Sequence, residues 1–169
     1  GEMVMPFIAR SFIKKAAVAG AILFVAAQFV RPDRSNPPAD PALSILQDGH
    51  LDGEIAELIK SSCFDCHSNE TRWPWYSAIT PMNELIANDV IDARRRLNFS
   101  AWATYKPAKK LGLLELIDDQ VSGRQMPPQR YLLLHPRASL SDAEVNALSQ
   151  WANDEAERVS IHADSRNPR

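Results

Sequence analysis

Cysteine is nearly absent: the 169 residues hold two, Cys63 and Cys66. That excludes a disulfide framework and confines any thiol chemistry to one pair. Excess positive charge is missing as well. Nineteen Lys and Arg stand against 21 Asp and Glu, a formal net charge of -2, so nucleic acid is not an expected partner. The one basic run, Arg94-Arg95-Arg96, reads as a solvated helix face. No stretch alternates apolar and polar residues as a strand does, and no internal repeat appears. No hydrolase triad, phosphate loop or paired-carboxylate site stands out either. What is present is ordinary for one globular domain with a core, 45% apolar and 24% charged. Twelve prolines are many for this length and imply loops of fixed shape.

The first 31 residues differ from the rest. Arg10, Lys14 and Lys15 precede a run from Ala16 to Val30 whose only polar side chain is Gln28. Fifteen helical residues reach about 22 Å, short of a hydrocarbon core of about 30 Å. Counted from Phe12, nineteen residues reach about 28 Å, with Lys14 and Lys15 snorkelling to the head groups. The expectation is a retained single-pass anchor in the cytoplasmic (inner) membrane, with membrane lipid as a partner. A cleaved signal peptide near Val25-Ala26-Ala27 is the alternative. Either way the N-terminal charge stays inside and the rest lies on the periplasmic, extracytoplasmic side. Residues 1–31 are thus a cytoplasmic tip and anchor, 32–48 a proline-rich tether, 49–160 the functional domain and 161–169 a polar, frayed tail.

After the tether the pattern is helical throughout. Leu51, Ile55 and Leu58 repeat at helical spacing and lead into the cysteine pair. Ile86, Val90, Ala93 and Leu97 form a second stripe. Leu111, Leu114, Ile117 and Val121 form a third, closed by Gly123. Ser141 and Glu144 make a capping box, stapled by Leu140 and Val145. From there a stripe of Val145, Leu148, Ala152, Ala156 and Val159 runs on, bordered by Trp151. The fold class expected is all-α.

Cys63-x-x-Cys66-His67 carries the chemistry. This is the spacing for attaching a c-type haem: two thiols meet the two vinyl groups of one porphyrin edge, and the histidine falls beneath the iron. A structural zinc site needs four ligands, usually a second close pair. Here His50, His135 and His162 are scattered singly. A thioredoxin-like pair needs an α/β setting that is absent.

At these residues the chain resembles a known family. The stretch Cys63-Phe64-Asp65-Cys66-His67-Ser68-Asn69-Glu70-Thr71-Arg72-Trp73-Pro74-Trp75-Tyr76 is similar to the opening of the haem-binding-domain family of bacterial c-type cytochromes. The likeness continues through Leu97-Asn98-Phe99-Ser100 and Trp102, Met126-Pro127-Pro128, Leu134-His135-Pro136 and Leu140-Ser141-Asp142-Ala143-Glu144. Even Gln28-Phe29-Val30-Arg31-Pro32 looks like the end of that family's anchor. Phe64 departs from a common Tyr, and Met82-Asn83 from a Ser-Trp-like pair. The resemblance implies a single-haem, helical, membrane-anchored cytochrome c-like domain, and it names no pathway.

The second axial ligand has five candidates: Met82, Met126, His50, His135 and His162. Met126 is favoured, since it follows the Gly123 stop and two prolines stiffen its loop. It lies 59 residues after His67, a separation similar to that in single-haem cytochromes c. His135 is second. Trp73, Pro74, Trp75 and Tyr76 are expected as core and pocket wall, with their polar groups able to reach a propionate. Pro74 is the expected source of a carbonyl for the His67 ring nitrogen that faces away from iron. The function expected is one-electron transfer between unidentified redox protein partners, with no enzyme activity and no small-molecule substrate. A haem peroxidase, or a haem-based sensor or structural subunit of a redox complex, is the alternative.

Overall fold

The computed structural model describes residues 5–48 and 50–165, with side chains over 10–48 and 50–163. Its elements are helical, with no strand among the described residues, as the all-α expectation requires. Seven α-helices run in order: α1 Met5–Ala27, α2 Gly53–Ser62, α3 Phe64–His67, α4 Met82–Arg96, α5 Pro107–Ser122, α6 Gln129–Leu132 and α7 Asp142–Ser165. Short 3-10 turns join them. The chain separates into two compact units, residues up to Arg34 with Trp73–Asp89, and Ser35–Arg72 with Val90 onward.

In the first unit, α1 is 23 residues long, yet among the described residues no helix is long and apolar enough to cross a membrane. Arg10, Lys14 and Lys15 lie inside α1, and the helix stops at Ala27 rather than Val30. The uncharged stretch is therefore residues 16–27, about 18 Å of helix against a hydrocarbon core of about 30 Å. The expected location, a single pass through the cytoplasmic membrane with the domain on its periplasmic side, is not upheld.

Polar bonds fasten the end of α1. Gln28 Oε1 accepts from the Thr80 amide at 3.0 Å, and the Ala27 carbonyl accepts from Thr80 Oγ1 at 3.1 Å. Asn83 is buried and donates to the Val30 carbonyl at 3.1 Å. Of the aromatic block expected in the core, one ring stays outside it. Trp75 is 79% exposed, with the edge of its ring against Tyr76. Trp73 is half-buried, and its indole N–H is buried without a hydrogen-bond partner.

The second unit holds the main core. α5 and α7 pack along each other, burying Leu114 and Val121 from one and Val145, Leu148, Ala152 and Val159 from the other. Trp151 and Leu113 are buried with them. The capping box forms as read: Ser141 N–H donates to Glu144 Oε2 at 2.7 Å, and the Glu144 amide to Ser141 Oγ at 3.3 Å. α7 runs past Ser160 to Ser165, so the tail does not fray where expected; residues 166–169 lie outside the described residues. Residues 32–48, read as a tether, fold back at their end: Ile45 is 1% exposed and joins the core.

Candidate functional site

Asp52 starts α2, its Oδ1 accepting from the Ile55 amide at 2.9 Å. Ile55 and Ile59 fix the helix to the core. The helix breaks at Cys63, whose φ of -122° and ψ of -33° are not helical. The chain then turns once more, with Cys66 and His67 amides both donating to the Cys63 carbonyl, at 3.2 and 2.9 Å. Both thiols and the imidazole thus belong to one turn. Phe64 beneath them is buried and stacked on Phe99, with centroids 6.0 Å apart.

Neither cysteine is in a disulfide. Burial, and secondarily the neighbouring Cys66, push the Cys63 thiol up to about 12. It is therefore a protonated, uncharged S–H at neutral pH. Burial pulls His67 below its ordinary value, against the opposing pull of the Leu97 and Ala93 carbonyls, so the ring is neutral at pH 7. Its Nδ1 lies 3.1 Å from the Leu97 carbonyl. A carbonyl only accepts, so Nδ1 carries the hydrogen and Nε2 keeps a free lone pair. The acceptor is not Pro74. That carbonyl is occupied by the Ser77 hydroxyl at 2.6 Å and the Ser77 amide at 3.0 Å.

The loop after His67 is held by Arg94. Its guanidinium donates to the Ser68 carbonyl and Asn36 Oδ1, both at 2.7 Å, to Thr71 Oγ1 at 2.8 Å and to the Ser35 carbonyl at 3.3 Å. Arg94 is half-buried, so the solvated-face reading fails at this one position of the triplet.

Met126 lies beyond the end of α5. Gly123 is the stop that was expected, though not through its own dihedral angles: its φ is -74°, and the left-handed residue is Arg124, at φ 55°. Gly123 is required because a Cβ there would stand 2.8 Å from the Asp119 carbonyl oxygen. Met126 is 38% exposed, and its amide donates to the Gln120 carbonyl at 3.0 Å. Pro127 is buried. Five residues on, Tyr131 donates to Asp65 Oδ2 inside the cysteine motif at 3.2 Å, so the structure ties the Met126 segment to the motif. His135 is half-buried and stacked on Tyr131. His50 and His162 are exposed, and Met82 opens α4 in the other unit.

Among the described residues no three His, Cys, Asp or Glu side chains converge as a metal-holding group. A cavity of about 460 Å³, lined by His50, Asp52, Trp151 and Arg158 among others, includes none of the motif residues. The site is therefore assigned from its donor set: two cysteine sulfurs, Cys63 as the uncharged thiol, and one neutral imidazole whose Nε2 keeps its lone pair. Those donors fit a porphyrin, as two carbon-bonding sulfurs and one nitrogen for iron. The haem-binding-domain family matches residues 22–154, well over half of the chain.

The chain belongs to that family.

No curated protein and no solved structure matches it. In this haem-binding domain the motif was legible from sequence, while the residues supporting it were not. The Leu97 carbonyl is main chain and leaves no side-chain signal. Arg94 was concealed in a run of three like charges. Tyr131 and Asp65 lie 66 positions apart, and nothing in the sequence pairs them.

Proposed function

We propose that this haem-binding domain is a cytochrome c-like electron carrier. One haem is held covalently by Cys63 and Cys66, with His67 and Met126 as iron ligands, and single electrons pass between redox protein partners. The observation that carries this reading is the turn at Cys63–His67, where two cysteines outside any disulfide adjoin an imidazole whose Nδ1–H is taken by Leu97. Bound there, the group supplies one-electron exchange between ferric and ferrous iron.

The chain's own residues do the rest. Cys63 and Cys66 would hold the group through their sulfurs, an addition of thiol to alkene that would need no oxidant. The Leu97 carbonyl fixes the tautomer and rotation of His67 and makes Nε2 a stronger donor. Pro127 and Pro128 limit the freedom of the loop that offers the Met126 thioether. A neutral sulfur ligand favours the reduced state. With Met126 as a ligand, the group would be closed to peroxide and gases, as a carrier rather than a peroxidase or sensor requires.

The test begins with attachment. Haem should stay on the polypeptide after denaturation and acid–acetone extraction, and Cys63→Ala or Cys66→Ala should leave one thioether or none. Freely extracted haem sinks the covalent reading. Met126→Ala should lower the reduction potential and create carbon monoxide binding that the parent lacks. Rapid peroxide turnover by the parent would favour the enzyme instead.

A further inference from the structure

Tyr131 is the hub of the segment that carries Met126. Its carbonyl accepts from the Leu134 and His135 amides, at 3.2 and 3.1 Å, and from His135 Nδ1 at 3.2 Å. Its ring stacks on His135 with centroids 4.0 Å apart. Its hydroxyl leaves the segment and reaches Asp65, the residue just before Cys66. Asp65 in turn is a fixed acceptor. Its other oxygen takes the Arg72 amide at 3.2 Å and Arg72 Nε at 3.4 Å, and its carbonyl takes Thr71 Oγ1 at 2.7 Å. The Asp65 side chain is 19% exposed, and its bond to Tyr131 is partly buried.

The segment has a second fastening at its start, where the Gln125 and Met126 amides both donate to the Gln120 carbonyl. Between these two points Met126 is partly exposed, and a thioether is a weak ligand. How often it stays on the iron depends on how firmly both ends are held. At 3.2 Å the hydroxyl–carboxylate bond is longer than the ~2.5–2.7 Å of a tight charge-assisted pair. It holds the segment without locking it.

The geometry points to Tyr131 and Asp65 as a positioning pair that sets the closure of the sixth iron site by holding the Met126 segment to the cysteine motif. The inference rests on the proposed axial role of Met126. Neither residue touches the reacting atoms.

Tyr131→Phe removes the hydroxyl and leaves the ring. In the haem-loaded full chain it should keep the haem attached and the helical content unchanged. Carbon monoxide should bind the ferrous protein roughly tenfold faster, the loss expected of one hydrogen bond to a charged group. The ferric spectrum should gain a high-spin component. Asp65→Asn keeps an oxygen acceptor and should retain most of the closure. Asp65→Ala should repeat Tyr131→Phe, and the double variant should add little to either. Amide exchange at Leu134 and His135 supplies a readout independent of iron, and should quicken in Tyr131→Phe.

Met126→Ala separates the two ideas. If it opens the site while Tyr131→Phe binds carbon monoxide at the parent rate, the latch is overturned and the ligand assignment stands. If Met126→Ala leaves the site unchanged, the ligand assignment fails. The exchange rates then judge the tie alone: faster exchange in Tyr131→Phe supports it, and parent-like exchange overturns it.

Discussion

Arg94 and Arg95 are neighbours on α4 with different environments. Arg95 is exposed and pairs with Asp92 at 2.8 Å, three residues back on the same helix. Such a surface pair contributes little, about 0.3–0.5 kcal/mol. Arg94 serves four oxygens that belong to three separated stretches of chain: Ser35 and Asn36, Ser68, and Thr71. Arg94→Ala should therefore lower stability by about 2–4 kcal/mol, since two partly buried acceptors, the Ser68 carbonyl and Thr71 Oγ1, lose a charged donor. Arg94→Lys should recover little of it, because one ammonium cannot replace a planar fork. Arg95→Ala and Arg96→Ala should stay within about 0.5 kcal/mol of the parent. Urea unfolding midpoints of the four variants decide the matter; equal effects along the triplet would return Arg94 to a solvated face. Composition cannot tell these arginines apart, because the difference lies in acceptors donated from distant positions. The same reason hid Leu97 behind Pro74, whereas Cys63, Cys66 and His67 are legible because their chemistry needs adjacency in the chain itself.

Helices were legible where one face is apolar and the ends carry caps. The stripe of α7 came through nearly residue by residue, that of α5 at Leu114 and Val121 and that of α2 at Ile55, and the Ser141–Glu144 box formed as read. Hydrogen bonds from the Ser141 amide, first, and from its hydroxyl hold Glu144 below its ordinary value of 4.5. A carboxylate with a depressed value stabilises the folded state above its unfolded value, and that contribution is lost as pH falls through the folded one. The start of α7 should thus loosen on acidification below about pH 4.5. Amide exchange over residues 142–146, followed from pH 6 to pH 3, should show the loss. Glu144→Gln should flatten the pH dependence while keeping part of the cap. An unchanged acid response in that variant would assign it to another carboxylate. α1 was the element misread. Apolar content was counted across Lys14 and Lys15 as though long stems remove their charges from the helix, and three residues were added past its end at Ala27.

At the scale of the molecule, stability and site geometry meet at Phe99. The α5–α7 pair makes the bulk of the second unit's core, and Leu148, 1% exposed, sits within it. The cysteine motif joins the same core through a different set of rings. Phe99 stacks on Phe64, lies edge-on to His67 at 6.2 Å and packs near Trp102 at 6.5 Å. Trp102 is itself held by Asp48, which accepts from its indole nitrogen at 3.3 Å. Both Leu148 and Phe99 are buried, so both should be costly to truncate: about 2–5 kcal/mol for Leu148→Ala and about 3–5 kcal/mol for Phe99→Ala. Their effects on the site should nonetheless separate. Leu148→Ala leaves a cavity away from the motif, and its haem spectrum should match the parent below the unfolding transition. Phe99→Ala removes the surface against which His67 rests and the partner of Phe64, two residues from the Leu97 carbonyl. The imidazole should then tilt, shifting the absorption bands of the bound haem and the reduction potential even in the folded fraction. Phe99→Leu, which keeps volume but not the flat ring, should restore most of the stability and less of the spectrum. Spectra taken at matched folded fractions would test the separation, and a parent-like spectrum for Phe99→Ala would mean that the Leu97 carbonyl alone sets the pose of His67.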